Sequence, residues 1–231
     1  GSSNSSTRQL VNSSTKTPHG PYERSDNFDG KQLGRIWQWN HNPVDEAWSL
    51  TERPGYLRLK TNKAVPSIYH ARNTLTQRME GPTCQATVAL DLKKMKNGDV
   101  AGFSAFNSDA AVLAVTKRDG KLYLTMSEES VSLSNDTKAI TGVKRNVKEE
   151  IPLKKKTIYL RIEGDFRPGE TKDQIKCYYS LNNKKWHRIG PDYITRFDWQ
   201  RFFMGTKFAI FNYATQKPGG YVDVDWFEYS K

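Results

Sequence analysis

Long apolar runs are missing from this 231-residue chain, and no stretch reaches the length that a membrane-spanning helix requires. Cysteine is scarce. Cys84 and Cys177 are the only two, too few for a disulfide framework and insufficient on their own for a metal cluster. Both fall in strand-like segments, CQATVAL and IKCYYSL, where a free cysteine serves as a small core residue. A single disulfide between them is the alternative. Histidine is equally sparse: His19, His41, His70 and His187 are far apart, and none has metal-ligand spacing. No serine or cysteine sits in a nucleophile-elbow context, so nothing favours a Ser-His-Asp hydrolase. Helical periodicity is lacking as well; at most a short turn is expected within 194–203.

Period-two alternation takes its place. It recurs in YLRLKT (56–61), QATVALDL (85–92), AVLAVT (111–116), KLYLTMS (121–127), TIYLRIEG (157–164) and IKCYYSLNN (175–183). Asn97-Gly98, Asp119-Gly120, Asn182-Asn183 and Pro218-Gly219-Gly220 mark turns between such runs. Many short strands without helices predict an all-β protein, an antiparallel sandwich or jelly roll. The polar segment 122–156 reads either as two outer strands or as a loop. Residues 1–22 are set apart: Gly1-Ser2-Ser3 looks like an expression remnant, and the Ser/Thr/Asn-rich stretch after it buries too little to order itself. The expected domain is therefore 23–231.

The formal charge of +11 makes an anionic partner thinkable. Its lysines lie in runs such as Lys93-Lys94 and Lys154-Lys155-Lys156, where a solvated surface that discourages edge pairing is the simpler reading. No nucleic-acid motif accompanies the charge, and neither nucleic acid nor membrane is expected as a partner.

Aromatic residues, 12 % of the chain, are the most informative feature. Sugars present C–H faces that stack on rings and hydroxyls that need polar partners. Three stretches mix rings with amides and guanidinium groups: Trp39-Asn40, then Arg72-Asn73 through Gln77-Arg78, and Asn212-Tyr213. Together with Phe106 they give a candidate carbohydrate site of Trp39, Asn40, Arg72, Asn73, Gln77, Phe106, Asn212 and Tyr213. Alternation puts Asn73, Leu75 and Gln77 on one face and Arg72, Thr74, Thr76 and Arg78 on the other, and one of these rows is expected to line a groove. Filling a large core is the competing role for any single ring.

The last strand, YVDVDWFEY (221–229), carries D-x-D-x-x-E, a spacing similar to the E-x-D-x-x-E of sandwich-fold glucanases. Strict alternation points Asp225 and Glu228 to opposite faces, so a bulge would be needed to align them. A calcium ion held between this strand and Asp26 or Asp29 near the start suits the residues better, because calcium takes several oxygen ligands. Ordinary strand-end aspartates are the plain alternative.

The runs WQWNHNPVDEAWSLTERPGYLRLKT, ARNTLTQR and MKNGDVAGFSAF, with the ending VDVDWFEY, resemble the C-terminal concanavalin A-like domain of glycoside hydrolase family 43 enzymes, which include β-xylosidases and α-arabinofuranosidases. The resemblance spans about Ser25 to Tyr229. It implies a two-sheet jelly roll of concanavalin A type, without its own catalytic acids, covalently linked to a propeller that carries them. It also implies a structural calcium ion on Asp26, the Gly55 carbonyl and Asp225, with Asp29 and Asp223 as alternates. The expected function is a non-catalytic, monomeric carbohydrate-binding module for xylan, arabinoxylan or related hemicellulose, secreted, periplasmic or on the cell surface. A buttress for the propeller that binds no sugar, and a glycosidase in its own right through Asp223, Asp225 and Glu228, are the rival readings.

Overall fold

A computed structural model describes residues 16–19, 23–168, 174–194 and 205–231. Among the described residues two antiparallel sheets form a sandwich. The seven-stranded sheet runs β1 (Gln38–Trp39), β4 (Leu75–Arg78), β14 (Lys207–Ala214), β6 (Asp99–Phe106), β7 (Asp109–Arg118), β8 (Lys121–Leu133), β9 (Ile140–Leu153). The eight-stranded sheet runs β12 (His187–Arg188), β11 (Gln174–Ser180), β10 (Thr157–Asp165), β5 (Thr83–Asp91), β15 (Tyr221–Ser230), β3 (Leu57–Lys60), β2 (Trp48–Ser49), with β13 (Tyr193–Ile194) also paired to β11. The polar segment 122–156 is thus two paired strands, β8 and β9, and not a loop. Alternation explains each strand's two faces: Ile158, Leu160 and Ile162 of β10 are sealed in the core, whereas Tyr159, Arg161 and Glu163 point outward. Of the turn expected within 194–203, only Ile194 belongs to the described residues.

The core between the sheets is aromatic at its centre. Phe227 meets Trp37 edge-on at 4.8 Å, and Phe103 and Phe208 stack at 5.6 Å beside it. Cys84 and Cys177 are buried here as free thiols, and burial pushes them up to about 11 and about 12.

One irregularity matters more than any other. In the pairing of β15 with β5, Val224 faces Leu90 and Trp226 faces Ala89, so Asp225 is an extra residue, a β-bulge. Because side chains alternate, one inserted residue exchanges the faces of everything after it. Phe227 therefore points into the core and Trp226 out of it.

The outward face of the seven-stranded sheet is not open. A second apolar cluster, including Phe106, Val112, Phe211 and Tyr213, is covered by Ile68, Tyr69 and Ala71. Ser67 caps the short 3-10 turn Ile68–His70, its hydroxyl accepting from the Tyr69 amide. The Tyr69 hydroxyl is anchored on the Asn107, Ser108 and Glu129 carbonyls at 2.8, 3.1 and 3.3 Å. Burial drives the Tyr69 phenol well above its ordinary value.

Candidate functional site

The residues expected to contact sugar separate into several environments. Trp39 lies at the core margin, tilted against Trp48 at 5.2 Å, and the Asn40 backbone N–H donates to the Thr74 carbonyl. Gln77, 2 % exposed, is fully engaged by Arg24: it accepts from Nε and donates to the carbonyl, both at 2.9 Å. Asn73 brackets the Val44 backbone, accepting from its N–H at 2.9 Å and donating to its carbonyl at 3.0 Å. Phe106 is buried against Tyr69 at 5.1 Å and presents no free ring face. The row Thr74 and Thr76 is buried as well, so β4 lines no groove with its alternate residues. Four candidates do converge: Arg72, Asn73, Asn212 and Tyr213 line one cleft of about 440 Å³, rimmed by Lys60 and Lys63. Asn212 donates to the Leu59 carbonyl at 2.8 Å, while its buried Oδ1 has no partner.

Open aromatic surface lies elsewhere, on the outward face of the eight-stranded sheet. Tyr159 and Trp226 flank Ala89 in register, their ring centroids 5.8 Å apart. Two residues along, the next row is Arg161, Thr87 and Glu228. Arg161 donates to Thr87 Oγ1 at 2.9 Å and stacks 3.8 Å from the Trp186 ring. Burial lowers the Arg161 guanidinium from its ordinary value, opposed by Glu163 and Glu228. The third row holds Glu163 and Gln85, and Glu163 accepts from the Tyr178 hydroxyl at 3.0 Å. It opens into a groove of about 230 Å³ reaching Lys176 and Ser230. Rings, hydroxyls, an amide and charged groups thus share one partly exposed face. Sequence reasoning left Tyr159, Arg161, Trp186 and Trp226 out of the candidate site, although the alternation of TIYLRIEG already put the first two opposite the core.

A third locus gathers oxygen atoms. The carbonyls of Asn27, Gly55 and Asp225 lie 2.9, 2.5 and 3.0 Å from Lys16 Nζ, and Asp225 Oδ1 lies at 2.9 Å. Gly55 turns its carbonyl inward from a left-handed conformation (φ +87°) that other residues adopt only with strain. The bulge frees Asp225 from the ladder, so both its carbonyl and its carboxylate face the same point. Asp26 is committed differently. Its carboxylate accepts from Trp37 Nε1 and from the Phe28 amide, each at 2.8 Å, and its backbone pairs with Phe227. Asp29 is exposed. The cradle's donors, one carboxylate and three carbonyls, are the hard oxygens that calcium prefers. Of the expected set, Gly55 and Asp225 lie in this cradle and offer oxygens of that kind, the Asp26 carboxylate is turned to Trp37 and Phe28, and the third carbonyl is that of Asn27. Asp223 is instead the counter-ion of Arg58, at 2.8 and 3.1 Å, and of Arg53 at 3.1 Å. A carboxylate clamped in this way is poorly placed as an acid or nucleophile.

Comparison with known proteins gives these loci a context. Residues 25–230 match the family described as the β-xylosidase C-terminal concanavalin A-like domain. The chain belongs to that family. It is 30 % identical over 229 residues to a β-xylosidase of Formosa agariphila, spanning 88 % of this chain and 34 % of that protein. A solved bifunctional GH43-CE protein of Bacteroides eggerthii superposes with a TM-score of 0.76 at 38 % identity, over 89 % of this chain and 25 % of that one. A glycoside hydrolase family 43 enzyme engineered to display endo-xylanase and exo-arabinofuranosidase activity gives a TM-score of 0.80 at 29 % identity, over 93 % and 41 % of the two chains. The concanavalin A-like domain thus corresponds to the C-terminal part of larger family 43 enzymes.

Proposed function

We propose that the domain is a non-catalytic accessory module that binds a xylan-class chain and keeps a covalently linked family 43 catalytic domain at its substrate. One observation carries the reading: Tyr159 and Trp226 stand together on an outward sheet face, beside Arg161 on Trp186 and within reach of Thr87 and Glu228. Sugar rings would stack on the first pair while guanidinium, hydroxyl and carboxylate groups fix orientation. Such shallow contacts suit affinities of about micromolar to millimolar, with avidity from the linked domain adding the rest. Hemicellulose lies outside cells, which favours a secreted, periplasmic or cell-surface setting. The oxygen cradle supports a structural calcium ion held by Asn27, Gly55 and Asp225, which would tie β15 to the chain's start.

A second reading puts the sugar in the cleft of Arg72, Asn73, Asn212 and Tyr213, favoured by the unpartnered Asn212 Oδ1 at its wall. Affinity electrophoresis on neutral and glucuronic-acid-decorated xylan separates the possibilities. Trp226→Ala should weaken retardation about tenfold or more, the effect of an aromatic anchor, while Arg72→Ala leaves it unchanged. The reverse pattern transfers the site to the cleft. If the unaltered protein is not retarded on any xylan, the domain is a buttress for the catalytic domain instead.

A further inference from the structure

The cradle is occupied by a cation that belongs to the chain. Lys16, its side chain 15 % exposed, comes from the segment that sequence reasoning set aside as a linker. Three ammonium protons meet the three carbonyls, so the fourth oxygen, Asp225 Oδ1, lies at ion-pair distance without a directed N–H. The Asn27 side-chain oxygen, on a residue only 8 % exposed, also lacks a partner. More acceptors are present than an ammonium can satisfy. The cradle, moreover, does not depend on Lys16 for its shape: the Gly55 turn, the Asp225 bulge and the pairing of Asp26 with Phe227 each have their own backbone cause. A pre-shaped ring of hard oxygens holding a tethered monocation is a site for which a second cation can compete.

We propose that the Lys16 ammonium and a divalent cation of the calcium class are mutually exclusive occupants of this cradle, so that metal entry releases residues 16–19 from the domain. The inference rests on the calcium reading given above and goes beyond it. With Lys16 leave its approach to the Tyr56 ring at 5.3 Å and the hydrogen bond from Asn27 to the Thr17 carbonyl at 2.5 Å. A single carboxylate balances an ammonium fully but a divalent ion only in part. Metal affinity is therefore modest, and a competitor on a short tether, present at effective concentrations on the order of millimolar, is able to oppose it. The chain leading into the domain would sense calcium by being docked or free.

Calorimetric calcium titration of the full chain tests the idea against Lys16→Met, which keeps length and removes charge. The variant should bind calcium about tenfold more tightly, the factor by which a mostly docked segment reduces apparent affinity. Endoproteinase Lys-C adds an independent readout by mass spectrometry: saturating calcium should accelerate cleavage after Lys16 in the unaltered chain, relative to cleavage of a free peptide with the same residues. Equal calcium affinity in the two proteins, or a Lys16 cleavage rate indifferent to calcium, overturns the competition while leaving the metal site intact. Calcium binding to neither protein overturns both. Asp225→Asn should abolish metal binding in either background, and retained binding there would locate the ion elsewhere and sink the proposal.

Discussion

The two outward faces of the sandwich are built from the same alternation, yet one is sealed and the other is open. On the seven-stranded sheet, Phe106, Phe211 and Tyr213 point outward and are covered by the Ile68–Ala71 turn, so they form a second core. On the eight-stranded sheet, Tyr159 and Trp226 also point outward but stay partly exposed, interleaved with Arg161, Glu163 and Glu228, and Trp186 stacks on Arg161 from the connection before β12. The contrast teaches that a ring's strand position says which way it points, not whether anything lies on top of it. Covering is a tertiary event, decided here by a turn about 35 residues distant in sequence from Phe106.

Adjacent residues on β15 offer the sharpest test of that difference. Phe227→Ala empties the centre of the core and should cost about 3–5 kcal/mol in urea unfolding. Trp226→Ala, one residue earlier and outward, should cost about 1 kcal/mol or less while weakening the proposed xylan retardation. Equal losses would mean the bulge does not separate the two side chains as described. Next in size is one substitution made on both faces. Tyr69→Phe strips a buried hydroxyl from the carbonyls it serves and should cost about 1–3 kcal/mol. Tyr159→Phe should fall within about 0.5 kcal/mol; a larger value would show that the open face is covered after all.

The smallest expected effect concerns pH. Glu129, buried on the sealed face beside Ser127 and attracted by Arg145, has its carboxyl raised above the ordinary value, chiefly by burial. A folded-state value above the unfolded one, about 4.3, means that the native state holds the proton longer. Stability from this group is present at low pH and is lost as the pH rises through the folded value. Chemical denaturation from pH 4 to 7 should therefore show a decline that Glu129→Gln flattens. An identical slope in the variant would remove Glu129 as its source.

The strands of the fold were largely legible. TIYLRIEG and QATVALDL became β10 and β5, and Asp119-Gly120 makes the β7–β8 turn with positive φ at both positions, 50° and 77°. The segment 122–156 was undecidable because β9, an edge strand, is exposed along most of its length and so lacks an apolar face to betray it. Site legibility was poorer, for a different reason. Gln77 and Asn73 are polar residues whose amides serve the backbone and Arg24, and sequence offers no way to tell such a brace from a ligand contact. The bulge at Asp225 is likewise invisible to strict alternation, which would have turned Trp226 inward. Gly55 and Asp225, named through the family resemblance, do share one cradle, whereas a lysine in a Ser/Thr-rich tail gives no signal that it returns to the body.

The antiparallel bridge between Asp26 and Phe227, with hydrogen bonds of 2.8 Å in both directions, brings the way in and the way out of the domain to one corner. A body whose two ends lie side by side behaves as a portable cartridge. It can be spliced into a surface loop of another protein with little stretching of the host, and joining its ends while opening a distant turn, such as Asp119-Gly120, should give a circular permutant that still folds.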